Sequence, residues 1–127
     1  MIGAMDHSPG FLALVADARA RVRETTPEEV ERRRRAGERF HLIDVREDHE
    51  WEAGHVTGAV HLGKGIIERD VEKTFPDRDA ELILYCGGGY RSALAADALG
   101  KMGYTRVASM DGGWKRWVAL GYPVSRG

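Results

Sequence analysis

The chain of 127 residues is long enough for one domain and too short for two of ordinary size. Apolar residues at 43% and charged residues at 31% fit a globular fold, and 19 basic against 20 acidic side chains leave no excess to recruit nucleic acid or an anionic membrane. No apolar run approaches the ~20 residues of a membrane span, the segment "MIGAMDHSPG" has neither the basic nor the apolar region of a signal peptide, and one cysteine forms no internal disulfide, so a reduced, cytoplasmic location is expected.

Ser8-Pro9 reads as an N-cap and first-turn proline, and Phe11, Leu14, Val15 and Ala18 at helical spacing predict a helix over residues 9–19. "RVRET" (21–25) follows as a short strand. Thr26-Pro27-Glu28-Glu29 reads as a capping box that opens a surface helix running to Ala36 and stopping at Gly37. "FHLIDV" (40–45) and "AVHL" (59–62) are strands. Ile66, Ile67, Val71 and Phe75 predict a helix ending before Pro76. "ELILYC" (81–86) is a continuous apolar strand. Leu94, Ala95, Ala98, Leu99 and Met102 form one helical stripe that Gly103 stops. "RVASM" (106–110) is the last strand, and Trp114, Trp117 and Val118 mark a final helix before Gly121 and Pro123. Short buried strands alternating with helices predict an α/β domain, its sheet mainly parallel and covered on both faces.

Cys86, the one cysteine, stands where the strand "ELILYC" ends and before a helix begins, the place where parallel sheets gather ligands. Gly87, Gly88 and Gly89 let successive N–H groups turn toward one point. The helix start adds partial positive charge, and Arg91 adds a full one with a planar fork of donors. This setting favours a thiolate and, beside it, a second anion. The bland alternative, a small buried cysteine beside a sharp turn, leaves this combination of glycines, arginine and helix start without a purpose.

Four segments in order resemble the rhodanese family of sulfurtransferases: "LIDVRE" (42–47), "WEAGHVTGAVHL" (51–62), "LYCGGGYRSALAADALGKMGY" (84–104) and "MDGGWKRWVALGYPV" (110–124). Residues 1–20 resemble no part of the family and are expected to be an extension with one helix, ahead of a rhodanese-like domain over 21–127. The resemblance implies a five-stranded parallel sheet with helices on both faces. It also implies a two-step reaction, in which Cys86 takes a sulfane sulfur from thiosulfate or a persulfide donor and passes it to a thiophilic acceptor, cyanide or a thiol. The implied cradle is the backbone N–H groups of Gly87, Gly88, Gly89, Tyr90, Arg91 and Ser92. The six residues from Cys86 to Arg91 match the sulfurtransferase loop, one shorter than in phosphatase relatives of the fold. Only Arg91 supplies a cation within the loop.

Asp44 and Arg46 are expected to support the site, Asp44 by accepting loop N–H groups and Arg46 by pairing with Glu47 or Glu50. Trp114 is expected beside the active loop, as pocket wall or core. Trp117 is expected in the core, and Tyr90 outward, where it would meet the acceptor. His55 reads as a hydrogen-bonded structural histidine, His41 and His61 as packing or edge residues, and Arg32–Arg35 as a solvated face with helical ion pairs. Five histidines and one cysteine show no metal-ligand spacing, and the implied chemistry needs no cofactor. The expected partners are a small sulfur-containing anion or a protein persulfide as donor and a thiol as acceptor. The rival reading is a non-catalytic binding or regulatory module on the same fold. The retained cysteine speaks against it, because such a module is free to lose its nucleophile.

Overall fold

The computed structural model describes residues 7–126. Of residues 1–20, expected to be an extension, those from His7 onward are described; residues 1–6 lie outside the described residues, as does Gly127. The elements run α1 (Pro9–Arg19), β1 (Arg23–Thr25), α2 (Pro27–Arg35), β2 (His41–Asp44), α3 (Asp48–Ala53), β3 (His55–Val56), β4 (Val60–His61), α4 (Ile67–Thr74), β5 (Leu82–Tyr85), α5 (Tyr90–Lys101), β6 (Val107–Met110), α6 (Gly113–Ala119) and β7 (Val124–Ser125). Five strands form one sheet in the order β1-β6-β5-β2-β4, every pair parallel. β3 and β7 form a separate antiparallel pair.

Side chains along β5 alternate between two cores, as a strand buried on both faces must. Leu82, Leu84 and Cys86 face the core that holds Val71, Ala95 and Leu99 of α4 and α5. Ile83 and Tyr85 face the core that holds Val30 of α2 and Trp117 of α6. Trp117 is fully buried, as expected, and its indole N–H donates to Pro123 O at 2.9 Å. The parallel order brings the carboxyl ends of β2, β5 and β6 to one rim, which carries Asp44, Cys86 and Asp111.

Several local expectations differ from the fold. Thr26 caps α2 by accepting the Glu29 N–H at 3.2 Å, but the Glu29 carboxylate pairs with Arg32 instead of closing the box. A reciprocal backbone contact of that kind opens α3, where the Glu47 N–H donates to Glu50 Oε1 at 3.0 Å. α3 reads "DHEWEA", with no apolar period to announce it, and the two-residue strands β3 and β7 are too short to show alternation. On α1, Val15 and Ala18 are buried, whereas Leu14 is exposed. α5 buries Ser92, Ala93, Ala95, Ala96 and Leu99, a wider face than the expected stripe, with Leu94 and Ala98 half-buried. The arginine run of α2 divides. Arg32 and Arg35 make helical ion pairs, but Arg33 forks onto Glu81 at the start of β5 and Arg34 donates to Thr57 O.

Leu84, fully buried in the middle of β5, fills the space between the sheet and α5. Leu84→Ala is expected to cost about 2–5 kcal/mol, read as a lower urea midpoint with an unchanged slope.

Candidate active site around Cys86

Cys86 lies at the end of β5 and is 1% exposed. Of the six N–H groups expected to cradle its sulfur, those of Gly89 and Ser92 reach it, and those of Gly87, Gly88, Tyr90 and Arg91 do not. The Gly89 N–H points at Sγ with N···S 3.1 Å, and the Ser92 N–H does so at 3.4 Å. Gly89 is the N-cap of α5 and Ser92 lies in its first turn, and no capping side chain comes from Gly89 itself. The sulfur thus occupies the position of a helix-capping anion. The Ser92 hydroxyl is 3.5 Å from Sγ and pairs at 2.8 Å with the hydroxyl of Ser109 on β6, both residues fully buried. When Sγ carries the charge, Ser92 can donate to it while accepting from Ser109.

The N–H groups can face inward because the carbonyls are held outward. Cys86 O accepts from the Trp114 N–H at 2.8 Å, Gly87 O from Lys115 N–H at 3.1 Å and Gly88 O from Gly112 N–H at 3.3 Å, all at the beginning of α6. Gly89 O accepts from the Arg19 guanidinium of α1 at 3.3 Å. Four consecutive carbonyls are satisfied from outside the loop. Gly89 adopts φ +104, and a Cβ there would meet Asp111 Oδ1 at 3.1 Å and Gly112 N at 3.3 Å. Gly113, at φ +53, is tighter still: a Cβ would lie 2.9 Å from Gly87 O and closer yet to Cys86 O. These two positions require glycine for geometric reasons.

The remaining loop residues have distinct surroundings. Gly88 is exposed and Gly87 half-buried, with Arg91 Nη2 3.2 Å from where a Gly87 Cβ would be. Arg91 turns its fork to Glu50 of α3, at 2.8 and 3.2 Å. Tyr90 is half-buried, with its ring against the N-terminal segment. His7 meets its ring edge-on at 4.5 Å between centroids, Phe11 stands at 6.2 Å, and Arg19 stacks on it at 4.9 Å. Arg19 is a second cation at the loop, unforeseen because it lies seventy residues before Gly89 in sequence.

Asp44 is fully buried and accepts one loop N–H, that of Arg46, at 2.8 Å. Arg46 pairs with this same Asp44, at 2.8 Å, rather than with Glu47 or Glu50, and donates to Gly54 O at 2.6 Å. The reason is burial: Arg46 is 3% exposed, and only Asp44 lies inside with it. Its guanidinium stacks 4.6 Å from the centre of Trp114. Trp114 is half-buried, with ring atoms 3.4 Å from where a Gly54 Cβ would be, so it serves as a wall linking α3 to the loop. Burial, with the Asp44 carboxylate close by, pushes the Tyr85 phenol up. It stays protonated, and its oxygen accepts the Val56 N–H at 3.0 Å. His55 is buried, its Nδ1 3.1 Å from Trp51 O and its ring stacked on Trp51 at 3.5 Å. His61 stacks on the same indole at 5.0 Å, and its Nε2 lies 2.8 Å from Arg46 O. His41 is exposed and tilts against Phe75. No cluster of metal ligands occurs among the described residues, and no helix there is long and apolar enough to cross a membrane.

The strand–loop–helix sets the Cys86 sulfur under two backbone N–H groups at a helix start, and comparison with known proteins gives the class of the domain. The model of the rhodanese-like domain matches residues 26–120, and the chain belongs to that family. It is 39% identical over 84 residues to the uncharacterized protein YqhL of Bacillus subtilis, covering 65% of each chain. It is 33% identical over 110 residues to a Mycobacterium tuberculosis protein named "probable adenylyltransferase/sulfurtransferase MoeZ", covering 84% of this chain and 28% of that one. The chain thus spans less than two thirds of either relative. Among solved structures, a protein of unknown function and "possible tyrosine phosphatase" from Rhodopseudomonas palustris superposes with a TM-score of 0.85 at 26% identity, covering 94% of this chain and 96% of that one.

Two outcomes follow from the loop's supports. Gly113→Ala forces a side chain against two loop carbonyls in a left-handed backbone that alone costs about 1–2 kcal/mol. The expected result is a lower urea midpoint together with a changed rate of Cys86 alkylation. The Arg91 guanidinium, helped by the Glu47 N–H, holds the Glu50 carboxyl down at about 2. A depressed carboxylate stabilises the fold above its usual range and loses that contribution as pH falls toward the folded value. The drop in Tm between about pH 6 and about pH 3 is therefore expected to be smaller in Glu50→Gln than in the parent.

Proposed function

We propose that the protein is a sulfurtransferase that carries sulfane sulfur as a persulfide on Cys86. The observation that carries this reading is the capped sulfur, with two N–H groups aimed at Sγ and four carbonyls turned away. In the first step the Cys86 thiolate attacks the outer sulfur of a donor such as thiosulfate. A new S–S bond forms, the donor's S–S bond breaks, and sulfite leaves with the electron pair. In the second step an acceptor, cyanide or a thiolate, attacks the outer persulfide sulfur, and Cys86 leaves as thiolate. Splitting the transfer in two lowers each barrier, and fixed amide dipoles offset the repulsion between two anions in contact.

Burial of Cys86 supports a sulfane donor over a bulky one. A sulfur at the floor of a tight six-residue loop admits a single protruding atom, which is what a terminal sulfane sulfur offers. MoeZ, whose name includes a sulfurtransferase activity, lends the reading support. The proposed setting is a reducing cytoplasm, where a lone thiol persists, with a small sulfur-containing anion or a protein persulfide as donor and a thiol as acceptor.

Incubation with thiosulfate is expected to add one sulfur atom to Cys86, seen by mass spectrometry and reversed by cyanide with release of thiocyanate. Cys86→Ser is expected to keep the fold, gain no sulfur and form thiocyanate only at the protein-free rate. Thiocyanate formation by that variant at the parent rate would end the proposal.

A further inference from the structure

Three arginines approach the loop, and each faces a carboxylate. Arg46 is bound to Asp44 inside the protein. Arg19 lies 3.4 Å from Asp111 and 3.2 Å from Glu24. Arg91, nearest the sulfur, is held bidentately by Glu50. The Arg46 pair is buried and Arg19 is committed to Gly89 O, so Arg91 is the arginine best placed to turn toward a substrate. Glu50 is well anchored there. Beyond Arg91 it accepts the Glu47 N–H, and α3 begins at this contact. A donor seeking the Arg91 fork must displace a carboxylate that does not diffuse away, and it meets that carboxylate's charge even if it succeeds.

Resting on the sulfurtransferase reading, we propose that Glu50 sets donor specificity at Cys86, disfavouring dianionic donors such as thiosulfate and leaving the site to donors with one negative charge, such as thiosulfonates and persulfide ions. The repulsion between Glu50 and the donor scales with donor charge, whereas the amide cradle serves both classes. A thiosulfonate reacts in the same balanced way: Cys86 thiolate takes the outer sulfur, and a sulfinate leaves with the electron pair. Glu50 acts through Arg91 and through space, so it is a positioning and selecting residue and not a catalytic one.

Thiosulfate and methanethiosulfonate make a near-isosteric pair in which a methyl group replaces one charged oxygen. With kcat/KM for each normalised to its rate with a free low-mass thiol, the parent protein is expected to favour methanethiosulfonate by about tenfold. In Glu50→Gln, whose amide can still accept from Arg91 and from the Glu47 N–H, that preference is expected to shrink by roughly the same factor, mostly through a gain with thiosulfate. A merely structural role would lower both donors together and leave their ratio alone. An unchanged ratio in the variant, or no preference in the parent, overturns the proposal, and the parent measurement stands even if the variant fails to fold. A separate arm needs no turnover: sulfate should protect Cys86 from alkylation at about tenfold lower concentration in Glu50→Gln. If neither donor loads sulfur onto the parent protein, the sulfurtransferase reading fails, and the sulfate arm alone decides whether Glu50 screens dianions.

Discussion

The site depends on the direction of four peptide groups. From Cys86 to Gly89 the carbonyls point outward and are satisfied by Trp114, Lys115, Gly112 and Arg19. Had these donors been absent, the carbonyl oxygens would compete for the interior, and a carbonyl facing the sulfur would repel the charge that the N–H groups attract. The start of α6 therefore matters as much as the start of α5. One helix N-terminus supplies N–H groups to the sulfur, and the other supplies N–H groups to the loop's carbonyls. Free backbone donors at two helix ends, normally left to water or side chains, are here each other's complement across a single turn of chain.

That arrangement explains why glycine is demanded in two places far apart in sequence. Gly89 needs a left-handed backbone to aim its N–H at the sulfur, and it passes close over Asp111. Gly113 needs one so that α6 can start within bonding distance of the loop, where any side chain would collide with the carbonyls that the helix binds. The parallel sheet makes the meeting possible. β5 and β6 are neighbours, so the loops leaving them emerge side by side, and Ser109 on β6 sits below Ser92 and the sulfur.

Much of this was legible from residue order. A strand ending in a cysteine, three glycines and a helix start identifies the loop, and alternating apolar runs identify the parallel sheet around it. What escaped was pairing between distant polar groups. Arg46 sits two residues from Asp44 and one from Glu47, and sequence distance does not say which carboxylate is buried with it. Nothing local marks Arg19 as a loop contact, since its partner is a backbone carbonyl and carries no residue signature. α3 escaped because its six residues are held by a cap and by Trp51 stacking on His55 and His61 rather than by an apolar face. Ser109 left a trace, a hydroxyl residue in an otherwise apolar strand, which in a buried setting must find a partner.

The pairing of each nearby arginine with a carboxylate has a consequence for how the site holds charge. Asp44, Glu50, Glu24 and Asp111 are set against Arg46, Arg91 and Arg19, so each of these arginines faces a carboxylate. An anion at Sγ would meet the N–H groups of Gly89 and Ser92 and the Ser92 hydroxyl, with the Arg91 guanidinium beside it. Dipoles fixed by secondary structure need no reorganisation when charge arrives, and at such short range they are little weakened by dissolved salt. Such dipoles attract poorly from a distance and act at close range. In the sulfurtransferase proposed above, selection at the sulfur then rests on the fixed loop and on the Glu50–Arg91 pair beside it.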